Sequence, residues 1–269
     1  MAAWDFFASA SDTGTSLPHF LAVHTRGVLT HPRVPRAERY RGRMSPIPPR
    51  VLRAADRYAG GDPATGVDTR HAFSFGPFYD PDNVRWGQLT ACNEERLAPG
   101  AGFPPHRHRD VEIVSWVIEG ELTHEDADGT RTVIRPGDLQ RLTAGSGVQH
   151  SERNEGRRPL RFAQMWLVAD RPGGPPDYEV VRGFAPDTPY TLPRTEGTLR
   201  LLRGDAALAA GDGELLHLRL TRGSGALDGE RLYEGDSVRL AAGAFALRAG
   251  EEGLEALLWS LAEPADRRP

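Results

Sequence analysis

Lysine is absent from the 269-residue chain, so all 33 basic residues are arginine. Arginine and alanine codons are GC-rich, and the bias is read as a coding preference with no mechanism attached. Cysteine occurs once, as Cys92. That excludes an intrachain disulfide and suits a reducing compartment, so the expected location is cytoplasmic. No activating basic neighbour stands beside Cys92 in the sequence, and it reads as a small packing residue. No apolar run is long enough to span a membrane, and none follows a basic segment at signal-peptide length. An excess of positive charge is also missing: the formal net charge is -4. The chain therefore has no general affinity for nucleic acid or acidic membranes, and neither is expected as a partner. From Thr198 onward histidine is reduced to His217, without an HxH or HxE pair. A four-ligand metal site is thereby excluded from that part.

What is present fits a soluble globular protein, with 26% charged and 39% hydrophobic residues. The length allows one large or two small domains. Residues 1–50 mix Ser, Thr, Pro and Arg with scattered aromatics, and their second half is basic. They read as a disordered or extra N-terminal tail rather than a targeting segment. The native start is expected at Met44, because MSPIPPRVLRAADRY has the look of an ordinary amino terminus. HAFSFGPFYD, from His71 to Asp80, supplies aromatics for a barrel mouth or a sheet-to-sheet contact. His71 has no partner at ligand spacing and reads as a hydrogen-bonded strand residue.

The chain is organised around Gly102 to Glu152. His106 and His108 stand at one end, His150 and Glu152 at the other, each pair spaced i, i+2. On a strand this spacing puts both side chains on one face. Two such pairs meeting across a barrel would present three imidazoles and one carboxylate to one cavity. That donor set suits one divalent transition metal: Fe(II), Mn, Co, Ni, Cu or Zn. Between the pairs, IVSWVI (Ile113 to Ile118) reads as a buried strand and EGE (Glu119 to Glu121) as a turn. Asp128-Gly129 reads as a two-residue hairpin, and Pro136-Gly137-Asp138 as the next turn. Short strands at turn-punctuated intervals indicate a small β-barrel or jelly roll.

HxHxxxE, a PGD turn and a late His resemble the two-part signature of the cupin superfamily. More narrowly, PGAGFPPHRHRDVEIVSWVIEGEL and VIRPGDLQRLTAGSGVQHSE resemble the pirin family. DTRHAFSFGPFYDPDN and RFAQMWLVAD resemble two further pirin blocks, and the likeness is dense over residues 52–170. The resemblance implies an all-β bicupin: two cupin-like β-barrels (jelly-roll, double-stranded β-helix) in tandem, the second degenerate. The expected division is a metal-binding domain over 51–170, a connector with little regular structure over 171–197, and the degenerate barrel over 198–265.

Glu112 shares strand parity with His106 and His108, and in many cupins the Glu at this place is the acidic ligand. In pirins the acidic ligand matches Glu152, so the expected ligands are His106, His108, His150 and Glu152. Around them, Glu112 is expected to support the ligands or form a salt bridge, Arg109 to orient a carboxylate near the metal or stand solvated at a strand edge, and Gln164 to line the pocket or bond the backbone. His124 is expected to stand alone, and Met165 and Trp166 to lie in the core. The resemblance implies iron as the metal and, as in some pirins, cleavage of flavonols such as quercetin with O2. Glu152 is then the candidate catalytic base for the substrate's 3-hydroxyl. Two alternatives stand beside this quercetinase reading. One is an iron-dependent, redox-sensing regulatory protein that acts through a protein partner without turnover. The other is a different cupin metalloenzyme.

Overall fold

The computed structural model describes residues 48–263. Residues 1–47 of the expected tail, with the expected start at Met44, lie outside the described residues, whereas Arg50 at its end already belongs to a strand. Within them the chain is all-β apart from three short 3-10 turns, Ala54–Asp56, Pro63–Thr65 and Pro81–Asn83. In chain order, the strands of the first half are β1 (Arg50–Leu52), β2 (Tyr58–Asp62), β3 (Val67–His71), β4 (Leu89–Leu97), β5 (Gly102–His108) and β6 (Val111–Glu119). Then come β7 (Leu122–Asp126), β8 (Arg131–Ile134), β9 (Leu139–Thr143), β10 (Val148–Arg153), β11 (Leu160–Val168) and β12 (Asp177–Val181). The remainder are β13 (Tyr190–Thr191), β14 (Thr198–Arg203), β15 (Ala206–Ala210), β16 (Glu214–Leu227), β17 (Glu230–Tyr233), β18 (Ser237–Leu240) and β19 (Gly243–Ala262).

A seven-stranded sheet, ordered β12-β9-β6-β11-β4-β3-β2, faces a four-stranded sheet, β5-β10-β7-β8. Phe103, Leu122 and Ile134 from the smaller sheet pack against Val67, Leu97, Val117, Leu160 and Phe162 from the larger. Burying such side chains stabilises the closure by roughly 1.5–3 kcal/mol each. The third sheet has eight strands and forms the second barrel around a leucine-rich core of its own. β1 pairs with β18 of that sheet, so the first strand belongs to the second barrel's hydrogen-bonding network.

Turn chemistry sets the hairpins, with one correction. Asp128-Gly129 is not a two-residue turn. The Gly129 N–H reaches Asp126 O at 2.9 Å, and the Asp126 N–H reaches Thr130 O at 3.0 Å, which leaves a three-residue loop. The Asp128 carboxylate accepts the Thr130 N–H at 2.8 Å, and only Gly129 takes a positive φ, 86°. Asp228-Gly229 has positive φ at both residues, 47° and 88°, and makes the two-residue turn between Leu227 and Glu230. The expected connector also departs from its reading, since β12 lies within it and adds to the larger sheet beside β9.

β6 is buried on both faces. Glu112, Val114 and Trp116 share one face and Ile113, Ser115 and Val117 the other. Val114 and Trp116 join Met165, Leu199, Leu257 and Trp259 in a core shared by the two barrels. The Trp116 indole donates to Glu255 at 3.1 Å, and the Trp259 indole to Met165 Sδ at 3.1 Å. The other face looks into the first barrel. There Gln140, Ser115, Gln164 and Asn93 are successive cross-strand partners over β9, β6, β11 and β4. His71 extends this polar row through its Nδ1, 3.1 Å from Asn93 Oδ1.

Candidate metal centre

β5 and β10 are antiparallel neighbours, and His106 and His150 are Cα partners. The register therefore brings the two histidine-bearing ends together. Ring centroids lie 4.5 Å apart for His106 and His150, 5.1 Å for His108 and His150, and 4.8 Å for His106 and His108. One nitrogen from each ring lies within 4.8 Å of the others. The Pro104 carbonyl accepts the Nδ1–H of His106 at 2.8 Å, which leaves Nε2 of the neutral ring without a hydrogen. His150 is buried, and its Nε2 has no hydrogen-bond partner among the described residues. A buried nitrogen left without a partner calls for an explanation, and a metal ion would supply one.

Glu152 is also buried. A register shift between His150 and Glu152 places it opposite Phe103 on β5 and His124 on β7. Its carboxylate groups with His150 and His124 rather than with His106 and His108, and His150 is common to both groups. Two amides clamp it. Gln164 Nε2 donates to Oε2 at 2.7 Å, and Gln140 Nε2 donates to Oε1 at 3.2 Å. Trp166 Nε1 in turn donates to Gln164 Oε1 at 3.1 Å, and Tyr178 OH to Gln140 Oε1 at 3.4 Å. These donors fix which end of each amide faces the carboxylate.

The other expected residues divide. Gln164 stands against Glu152. Arg109 does not reach the site: it is exposed and pairs with Asp110 at 3.1 Å. Glu112 is on the wrong face. His108 and Glu112 do not lie on one continuous strand: Asp110 takes a positive φ of 54° and the chain changes sheets between β5 and β6. Glu112 instead accepts from the Thr143 hydroxyl at 2.8 Å, and burial raises its pKa. His71 is hydrogen-bonded within the barrel, as anticipated. Cys92 and Met165 are core residues.

Trp166 lines the site, with its ring edge-on to His108 at 5.0 Å. Phe75 stands against Trp166 at 5.8 Å, whereas Phe73 faces the second barrel and His217. His124 was expected alone, but its Nδ1 lies 3.3 Å from His150 Nδ1. The sequence reading also missed Gln140, Tyr178 and Asp126. The available signals were a glutamine within the strand run LQRLT after the PGD turn and the histidine and aspartate spaced i, i+2 in β7.

The electrostatics favour neutral imidazoles. Burial, then the proximity of His106 and His150, pushes His108 down to about 3, against a smaller upward pull from Glu152. Burial, then His106 and His124, pushes His150 down to about 2. At neutral pH both rings keep the lone pairs that a metal requires. His106, His108 and His150, with Glu152 as the adjoining carboxylate, could hold a transition metal, and the mixed nitrogen and oxygen donors fit one of borderline softness.

The pirin family model matches residues 52–167. A Mycobacterium tuberculosis (strain ATCC 25618 / H37Rv) protein, named provisionally as a quercetin 2,3-dioxygenase, is 37% identical over 232 residues, covering 78% of this chain and 94% of its own. Quercetin 2,3-dioxygenase of Escherichia coli K12 is 35% identical over 114 residues, 42% of this chain and 49% of that protein. Among solved structures, the Escherichia coli pirin YhhW in complex with nickel(II) superposes with a TM-score of 0.73 at 24% identity, covering 80% of this chain and 100% of that one. On the relative matched along most of both lengths and on the matching family model, the chain belongs to the pirin family.

Proposed function

We propose that this protein is a metal-dependent dioxygenase that cleaves flavonols such as quercetin with O2. The observation that supports the reading most is the partnerless, buried Nε2 of His150 beside His106 and His108. We assign an iron(II) ion to these three residues, with Glu152 as the fourth group. When bound, such an ion supplies Lewis-acid activation of a substrate oxygen and a meeting point for substrate and dioxygen.

The protein groups perform the rest. The neutral rings of His108 and His150 stay available as donors at neutral pH. Glu152 is the acceptor for the flavonol 3-hydroxyl proton. Gln140 and Gln164 orient it, and each carboxylate oxygen keeps a lone pair beyond its amide hydrogen bond. Trp166 and Phe75 form an aromatic wall on the His108 side, suited to a flat, fused-ring substrate. The names of the quercetin 2,3-dioxygenase relatives favour the same substrate class.

The test is anaerobic reconstitution of the full chain with Fe(II), then oxygen uptake and carbon monoxide release on adding quercetin. Both are expected, and both should vanish in His106→Ala. Stoichiometric iron binding with no oxygen uptake would refute the enzyme reading and favour a regulatory protein that acts through a partner.

A further inference from the structure

Behind His150 runs a hydrogen-bonded chain that leads away from the cavity. Asp126, at the end of β7, has Oδ1 3.1 Å from His124 Nε2. His124 is fully buried, and its Nδ1 lies 3.3 Å from His150 Nδ1. The His124 ring is stacked on Tyr178, with centroids 4.4 Å apart and planes 22° apart. Backbone pairing holds the geometry: on β7 and β10, Asp126 is the Cα partner of His150, and His124 that of Glu152.

The donors and acceptors can be assigned in sequence. An ionised carboxylate only accepts, so the hydrogen in the first contact sits on His124 Nε2. A neutral imidazole with Nε2–H has a bare Nδ1, which must accept in the second contact. The donor there is His150 Nδ1–H. That leaves His150 Nε2 bare, and it is this atom that is buried without a partner. A Pro104 carbonyl does the same for His106. The two strands thus orient their histidines by different devices, one with a backbone carbonyl and the other with a second histidine backed by a carboxylate.

We propose that Asp126 and His124 form a relay that locks His150 in its Nδ1–H tautomer and so presents Nε2 to the metal. His124 is then a positioning residue and not a ligand, although it lies close enough to His150 and Glu152 to form a second three-ligand group with them. The relay rests on the metal-centre reading for its purpose, but not for its hydrogen-bond pattern. Outer partners of metal-bound histidines typically change metal affinity by about 10–100-fold when removed.

The test uses the full chain and two readouts. Long-range proton–nitrogen NMR on the metal-free protein reports the tautomer of each ring. Wild type should show Nδ1–H on His150 and Nε2–H on His124. Calorimetric titration with Ni(II) reports affinity. His124→Phe keeps a ring to stack on Tyr178 but removes the acceptor. It should weaken nickel binding by about 10–100-fold and release His150 into a mixture of tautomers. His124→Asn restores an acceptor near the Nδ1 position and should recover most of the affinity.

If His124→Phe does not fold, Asp126→Ala leaves both rings in place and should release the His124 tautomer. The relay is overturned if wild-type His150 carries its hydrogen on Nε2, or if His124→Phe binds nickel as wild type does. It is also overturned if both His124 variants lose nickel while His106→Ala retains it, since His124 would then be a ligand. Wild type that shows the expected tautomers but binds no nickel would refute the metal-centre reading and leave the hydrogen-bond relay standing.

Discussion

Replacing Glu94 with glutamine should cost about 3–5 kcal/mol of folding stability, the range for breaking one side of a buried ion pair. Glu94 lies on β4 in the first barrel, and its Oε2 accepts from Arg219 Nη2 on β16 in the second, at 2.7 Å. Arg219 is 1% exposed, and its Nε and Nη1 have no hydrogen-bond partner among the described residues. Arg57 is a buried cationic neighbour, lowered to about 9 by burial and then by the Arg219 charge, so it is still protonated at neutral pH. Glu94→Gln would leave the buried Arg219 charge without its carboxylate partner, with the Arg57 charge nearby. Arg96, which also binds Glu94, at 2.7 Å, is more than half exposed and adds little.

Burial alone would push the Glu94 carboxyl up. Arg219, Arg96 and Arg161 overcome this and hold it below its ordinary 4.5. The stability it lends is therefore complete above about pH 4.5 and is lost as pH falls through the lower folded-state value. The assay is equilibrium urea unfolding of the full chain at pH 7 and through the acid range. Glu94→Gln with Arg219→Met should recover at least half of the loss, because the unpaired charge leaves with the arginine. A single variant within about 1 kcal/mol of wild type would refute the argument, since that is the worth of an exposed pair.

Three further outcomes follow from the barrel interior. His150→Ala should lower metal content well below wild type, measured by elemental analysis, whereas Glu112→Gln should leave it unchanged. Metal loss in Glu112→Gln alone would reverse the ligand assignment. Gln164→Leu should reduce quercetin turnover while the melting temperature moves by only a few degrees; full activity would show that the clamp on Glu152 is dispensable. Glu95, deep in the same barrel, accepts from the Thr69 hydroxyl and is raised to about 8 by burial. Its folded-state pKa is above the unfolded one, so its contribution is fully present below about pH 4.5 and is lost as pH rises through about 8. At about 1.4 kcal/mol per unit the loss amounts to several kcal/mol, and Glu95→Gln should flatten the fall in urea midpoint between pH 6 and 9. A parallel fall in both proteins would contradict the assignment.

Much of the architecture was legible along the chain. Turn residues and apolar runs gave an all-β chain. The i, i+2 pairs placed His106 with His108 and His150 with Glu152, because strand periodicity is local. The absence of ligand pairs after Thr198 identified the degenerate half. Other features depended on how strands were paired. Glu112 had the right spacing from His108, but the positive φ at Asp110 and the change of sheet turned it to the opposite face. The reading of β12 as connector failed because its order comes from pairing with β9 rather than from its own proline- and glycine-rich surroundings.

The sequence by itself determined the element types, the two histidine-bearing strands and their donor atoms, since each depends on residues a few positions apart. Only the tertiary structure decided which side chains share the cavity. His124 meets His150 across β7 and β10, and Gln140 meets Gln164 across Ser115 on β6. The Glu152 carboxylate lies between those two amides. Such contacts are fixed by strand register and a bulge, and a shift of one residue would turn the same side chains to the other face of the sheet.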